Sequence, residues 1–121
     1  MQIGTTLTHF LLEEERHHHH ASGDFTRLMS DLTTSIRTIS HAVNRAGISD
    51  LRGGVGATNV QGEQQQKLDV MANDTLLESM EWTGHLAAMA SEEMDLPYTI
   101  PEAYPKGRYL LVFDPLDGSS N

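Results

Sequence analysis

The chain predicts an α/β fold in which two long helices pack on the start of a mixed sheet, and three observations carry that prediction. Two segments, 24–45 and 64–82, repeat apolar residues at helical spacing. Two apolar runs, 86–90 and 109–113, have the length of strands. The second run feeds Asp114-Pro115-Leu116-Asp117-Gly118-Ser119-Ser120-Asn121, two carboxylates three residues apart and then a turn. Carboxylates supply oxygen ligands to hard cations, and the N–H and hydroxyl groups of such a turn cradle an anion. Metal-assisted phosphate chemistry is therefore the functional expectation.

Composition narrows the classes. At 121 residues the chain makes one domain at most. Its formal net charge of −9 argues against nucleic acid, which selects for basic surfaces. The same charge opposes binding of any anion, and divalent cations between carboxylates and phosphate resolve that conflict. Cysteine is absent, which excludes disulfides, zinc–thiolate sites and thiol nucleophiles. No apolar run approaches the ~20 residues that span a bilayer, so no membrane partner is expected. The N-terminus lacks a basic-then-apolar signal, which makes cytoplasmic residence the default. A strand and a metal-type turn end at Asn121 with nothing to cover the strand's other side. The chain is accordingly expected to be the N-terminal piece of something longer.

The elements follow in order. Segment 6–15 reads as a short helix capped by Thr6 or Thr8, with Leu7, Phe10, Leu11 and Leu12 as its apolar side. The four histidines at 17–20 read as a solvated connector rather than a metal site. The helix over 24–45 has Asp24 as its N-cap and Gly47 as its terminator. Phe25, Leu28, Met29, Leu32, Ile36, Ile39 and Val43 share one face of it, and Arg27, Thr34, Arg37, His41 and Arg45 cover the opposite side. Gly53, Gly54 and Gly56 predict a flexible stretch leading to Asn59-Val60-Gln61-Gly62-Glu63, which suits a surface loop and an active-site lid equally.

Over 64–82 the helical wheel separates two acids. Leu68, Ala72, Leu76 and Met80 form the apolar stripe, and Asp69 projects into it, whereas Asp74 lies on the side of Glu78 and Glu81. A carboxylate aimed into an apolar stripe is costly unless it is paired or near a metal, so Asp69 is the functional candidate. The run 86–90 has helix-favouring Ala and Met but the length and flanks of a buried strand, and Ser91-Glu92-Glu93 follows it. Ligands in open α/β sheets collect beyond the carboxyl ends of strands. Two apolar runs that each end in paired acids bring four carboxylates together if the strands are parallel neighbours. Segment 96–105, with three prolines, reads as the loop between them.

Asn59-Val60-Gln61-Gly62-Glu63, Lys67-Leu68-Asp69-Val70, Ser91-Glu92-Glu93 and Phe113-Asp114-Pro115-Leu116-Asp117-Gly118-Ser119-Ser120-Asn121 resemble, in order and spacing, class 1 fructose-1,6-bisphosphatase. The resemblance runs from Thr6 onward and spans about the first third of that family's usual length. It implies a layered α/β sugar-phosphatase fold, divided here into a helical regulatory segment 6–47, a mobile loop 52–67, and a helix with metal-site strands over 68–121. It implies magnesium, with manganese as the alternative, held by Glu92, Asp114, the Leu116 carbonyl and Asp117, with Glu63 on the lid as ligand of a further ion. Asp69 and Glu93 would orient and deprotonate the attacking water. Asp117, Gly118, Ser119 and Ser120 would bind the 1-phosphate of fructose 1,6-bisphosphate, whose hydrolysis gives fructose 6-phosphate in gluconeogenesis.

The resemblance also implies a homotetramer when complete, and an inhibitory AMP site at 21–26, including Thr26, with Arg108 and Tyr109. Arg108 stands where the family commonly has lysine, and the histidine run carries one extra residue. The isolated 121 residues are expected to be inactive, because further sugar and metal ligands of the family lie downstream. Two alternatives remain open: another phosphatase of the inositol monophosphatase superfamily, and a noncatalytic metal- or nucleotide-binding fragment. An EF-hand fails on the spacing of Asp114, Asp117 and Gly118.

Overall fold

The computed structural model describes residues 4–53 and 58–116. In chain order it has α1 (Leu7–Arg16), α2 (Asp24–Gly53), α3 (Thr58–Met80), β1 (Leu86–Ser91), β2 (Tyr98–Thr99) and β3 (Tyr109–Phe113). Thr6 caps α1, its hydroxyl accepting from the His9 N–H at 3.0 Å. None of the α1 residues is buried, so the apolar side expected of it lies against a cavity rather than a closed core.

α2 begins after Gly23, whose φ of +85° turns the chain into the helix. Asp24 is its first helical residue, and the helix runs through Gly47, the expected terminator, to Gly53. Glycine ends a helix where it takes up the left-handed conformation; Gly47 does not, and a helical glycine costs only about 1 kcal/mol against alanine. The mobile loop expected over 52–67 is likewise replaced by helix at both ends, since α3 starts at Thr58 and carries Gly62 and Glu63. Gly54 and Gly56 lie outside the described residues.

Where the helices cross, Ser35 on α2 is buried and shares a 2.6 Å hydroxyl hydrogen bond with Ser79 on α3. These small side chains allow a close approach and centre the buried face on Leu28, Ser35 and Ile39. Phe25 and Ile36, expected on that face, are half exposed at 50% and 53%. The stripe expected on α3 is present: Ala72, Leu76 and Met80 are buried, joined by Asn73 and Leu77.

The run 86–90, open to helix or strand in the sequence, is β1. It forms the centre of a three-stranded mixed sheet of order β2-β1-β3, antiparallel to β2 and parallel to β3. The β1–β3 register runs from Leu86↔Tyr109 to Ser91↔Phe113, with an irregularity between Leu86 and Ala88. β2 lies inside the segment expected to be loop; at two residues it is too short to leave a periodic signal. One face of the sheet meets the helices, where Leu28, Leu77, Met80, Leu86, Met89 and Ile100 form the main core. A second cluster of Ile39, Ala72 and Leu76 continues it towards Phe113 and Leu116. β3 is buried on that face alone, because Leu110 and Val112 on the other are 71% and 77% exposed.

Two contacts fix the start of β1, one to α2 and one to the segment entering β3. His85 Nε2 lies 2.7 Å from Asp31 Oδ2, tying the entry of β1 to α2. Gly107 donates its N–H to the Leu86 carbonyl at 2.9 Å and passes so close to the His85 backbone that a Cβ there would overlap it. Gly107→Ala is expected to destabilise the fold by about 1–3 kcal/mol, measured by denaturant unfolding, since the obstructing atoms are backbone. Tyr98 donates its hydroxyl to Glu81, and this bond, with burial, pushes its pKa up to about 12. The neutral phenol is the form the fold favours. Its stabilising effect is therefore complete below pH 10 and lost as pH rises through about 12. Phenolate absorbance is expected to show one tyrosine titrating near that upper value, and Tyr98→Phe is expected to abolish it.

Candidate functional site

Parallel pairing of β1 and β3 brings their carboxyl ends out on the same side. The last rung is Ser91↔Phe113, and the Glu92 N–H extends the ladder by one bond, 3.1 Å to the Phe113 carbonyl. The chain then turns: the Glu93 N–H donates to Ser91 Oγ and the Met94 N–H to the Ser91 carbonyl, both at 3.1 Å. Glu92 and Glu93 thus leave β1 beside Asp114, which leaves β3, and all three are exposed. Leu116 packs on the cluster of Ile39, Ala72 and Leu76, contributed by α2 and α3. Asp117, Gly118, Ser119 and Ser120 lie outside the described residues.

The remaining candidate acids are on α3. Asp69 is half buried and accepts from Gln65 Nε2 at 3.4 Å, whereas Asp74 is exposed, which is the separation the wheel predicts. Glu63 stands on the exposed side of the helix, not on a glycine-rich loop, and lines a shallow groove with Lys67 and Val70. Among the described residues no three His, Cys, Asp or Glu side chains lie close enough to hold a metal ion. What the strand pairing brings side by side is the two positions Glu92 and Asp114, with Glu93 in the turn that follows; Glu63 and Asp69 stand on α3. The donor chemistry fits a hard divalent cation, since every candidate atom is a carboxylate or carbonyl oxygen. Among the described residues no helix is long and apolar enough to cross a membrane.

At the other end of β3 a cavity of about 490 Å³ opens between α1, the start of α2 and β3. Thr26, Arg108 and Tyr109, expected together as a regulatory group, all line it. Thr26 Oγ1 donates to Glu15 Oε2 at 2.9 Å, and Arg108 Nη2 donates to Asp24 Oδ2 at 3.0 Å. The Phe25 and Tyr109 rings stand 6.1 Å apart, and the Arg108 guanidinium lies 6.0 Å from the Tyr109 ring centre. The four histidines at 17–20 are exposed, as a solvated connector would be, yet His18 and His20 reach the rim of this cavity. Sequence reasoning missed Phe10 and Glu15 as its walls, because they become walls only once α1 folds back on α2.

Residues 5–121 match the family model described as "Fructose-1-6-bisphosphatase, N-terminal domain". The chain belongs to this family. Solved structures of Leishmania major fructose-1,6-bisphosphatase are similar to it over 97% of its length: the holo form at 33% identity with a TM-score of 0.74, and the T-state at 32% identity with a TM-score of 0.70. The apo form is likewise 32% identical, with a TM-score of 0.70. The chain spans about a third of the length of those chains, covering 33%, 32% and 31% of them respectively. Both the strand-end acids and the α1–α2 cavity fall within the matched residues.

Proposed function

We propose that the complete protein is a divalent-metal-dependent phosphatase that removes the 1-phosphate of fructose 1,6-bisphosphate, with magnesium as its metal and manganese as a substitute. The observation that carries this reading is the emergence of Glu92 and Asp114 from one end of two paired parallel strands. Family membership supports it. So does the geometry of the layers. Ala72 and Leu76 of α3 belong to a cluster against which Phe113 and Leu116 pack at the end of β3, and Asp69 lies one turn before Ala72.

In this reading Glu92, Asp114, the Leu116 carbonyl and Asp117 would hold the metal, and Glu63 would serve a further ion. A bound divalent pair would neutralise the phosphate oxygens and the leaving alkoxide and lower the pKa of water. Asp69 and Glu93 orient the attacking water and take its proton. Gly118, Ser119 and Ser120 offer N–H and hydroxyl donors to the transferred phosphate, alongside Asp117. The acids alone would repel a dianionic ester, so the residues arranged here require cations to work at all. Cytoplasmic residence, a place in gluconeogenesis and a homotetrameric assembly belong to the same proposal.

A specific observation favours a second ligand. The cavity between α1 and α2 joins an aromatic pair, a guanidinium and the N-terminus of a 30-residue helix, a combination suited to a nucleoside monophosphate such as AMP. AMP is proposed to bind there as an inhibitor.

In the complete protein, Asp114→Ala is expected to lower phosphate release at least 100-fold, whereas Asp74→Ala should change it by less than about twofold; equal losses would refute the separation of these acids. AMP is expected to inhibit below millimolar concentration, and Arg108→Ala to weaken that inhibition about tenfold through loss of a charge-assisted contact, with uninhibited turnover unchanged. Insensitivity to AMP at millimolar levels would remove the nucleotide site.

A further inference from the structure

Among the described residues, Asn73 Oδ1 is a buried side-chain acceptor without a hydrogen-bond partner. Asn73 is only 8% exposed and stands in the middle of the core-facing side of α3. Its neighbours Ala72, Leu76 and Leu77 belong to the two core clusters, and Phe113 packs against both. Phe113 ends β3 and pairs with Ser91, the rung from which Glu92 and Asp114 leave the sheet, and its side chain packs on the clusters that α3 helps to form. Ser91 on that rung is buried as well, 7% exposed, and its Oγ accepts from the Glu93 N–H. Packing gives no reason for an amide here, since leucine would bury more apolar surface and an unmet acceptor is costly. Asp69 lies one turn earlier on the same face.

We infer that Asn73 is a positioning residue for the strand-end acids, its carboxamide oxygen accepting from a water enclosed between α3 and the last rung of the sheet. Such a water needs two to four polar partners. Asn73 Oδ1 is one, and the Ser91 hydroxyl, which accepts from Glu93 and retains its own proton, is the second. The helix bearing Asp69 and the turn bearing Glu92 and Glu93 are then joined through one hydrogen-bonded unit. Outer contacts of this kind set the direction in which ligating carboxylates point and so control metal affinity. The inference rests on the metal-dependent reading above.

The test uses the complete protein and Mn2+ alone, with free Mn2+ read by electron paramagnetic resonance and folding read by thermal unfolding. N73L is expected to weaken Mn2+ binding about tenfold while leaving the melting temperature within a few degrees of the native value. If N73L fails to fold, N73A carries the same expectation for affinity. N73S, whose hydroxyl can meet the same water, is expected to keep affinity within about threefold. Native Mn2+ affinity in N73L or N73A would overturn the inference, whatever the melting temperature, and so would an equal loss in N73S. A native protein that binds no Mn2+ would instead sink the metal reading itself.

Discussion

Parallel pairing between β1 and β3 is the constraint on which the molecule depends. Two parallel neighbours end on the same side, and the residues that follow them are delivered together whatever their separation in the chain. Here the pairing runs Leu86↔Tyr109 to Ser91↔Phe113, and acids begin at the next position on each strand. A slip of one residue would turn Met89, Leu111 and Phe113 away from the helices and expose the main core. The apolar face that makes the core thus holds the acids in register.

The same strand pair has a second end. Arg108 and Tyr109 stand at the start of β3 and Asp114 follows its finish, so the α1–α2 cavity and the acid set are separated by about 17 Å of a single strand. Between them lie Leu111 and Phe113, packed against the clusters that also seat α2 and α3. The Ser35–Ser79 hydroxyl contact, the His85–Asp31 pair and the Tyr98–Glu81 bond are polar ties in that layer.

Much of this was legible in the chain. The limits of β3 match the apolar run, Thr6 caps α1 as its hydroxyl suggests, and Asp69 is more sheltered than Asp74 because helical phase alone decides which side each faces. The errors have physical causes too. Gly47 suggested a helix end, but propensity is a weak prior that helix continuation overrides, and α2 runs on to Gly53. β2 escaped notice because two residues have no period, and it exists only because β1 offers it an edge. Asn73 and Ser91 gave no signal, since a single polar residue at a core phase looks like an ordinary interruption of the stripe.

By itself the sequence determined the helical phase of α3, the cap of α1 and the limits of β3, because those follow from spacing along one segment. Only the tertiary structure decided that 86–90 is a strand, that it runs parallel to β3, and that Thr26, Arg108 and Tyr109 meet across one cavity. Those outcomes arise from contacts between residues far apart in the chain, and local periodicity carries no record of them.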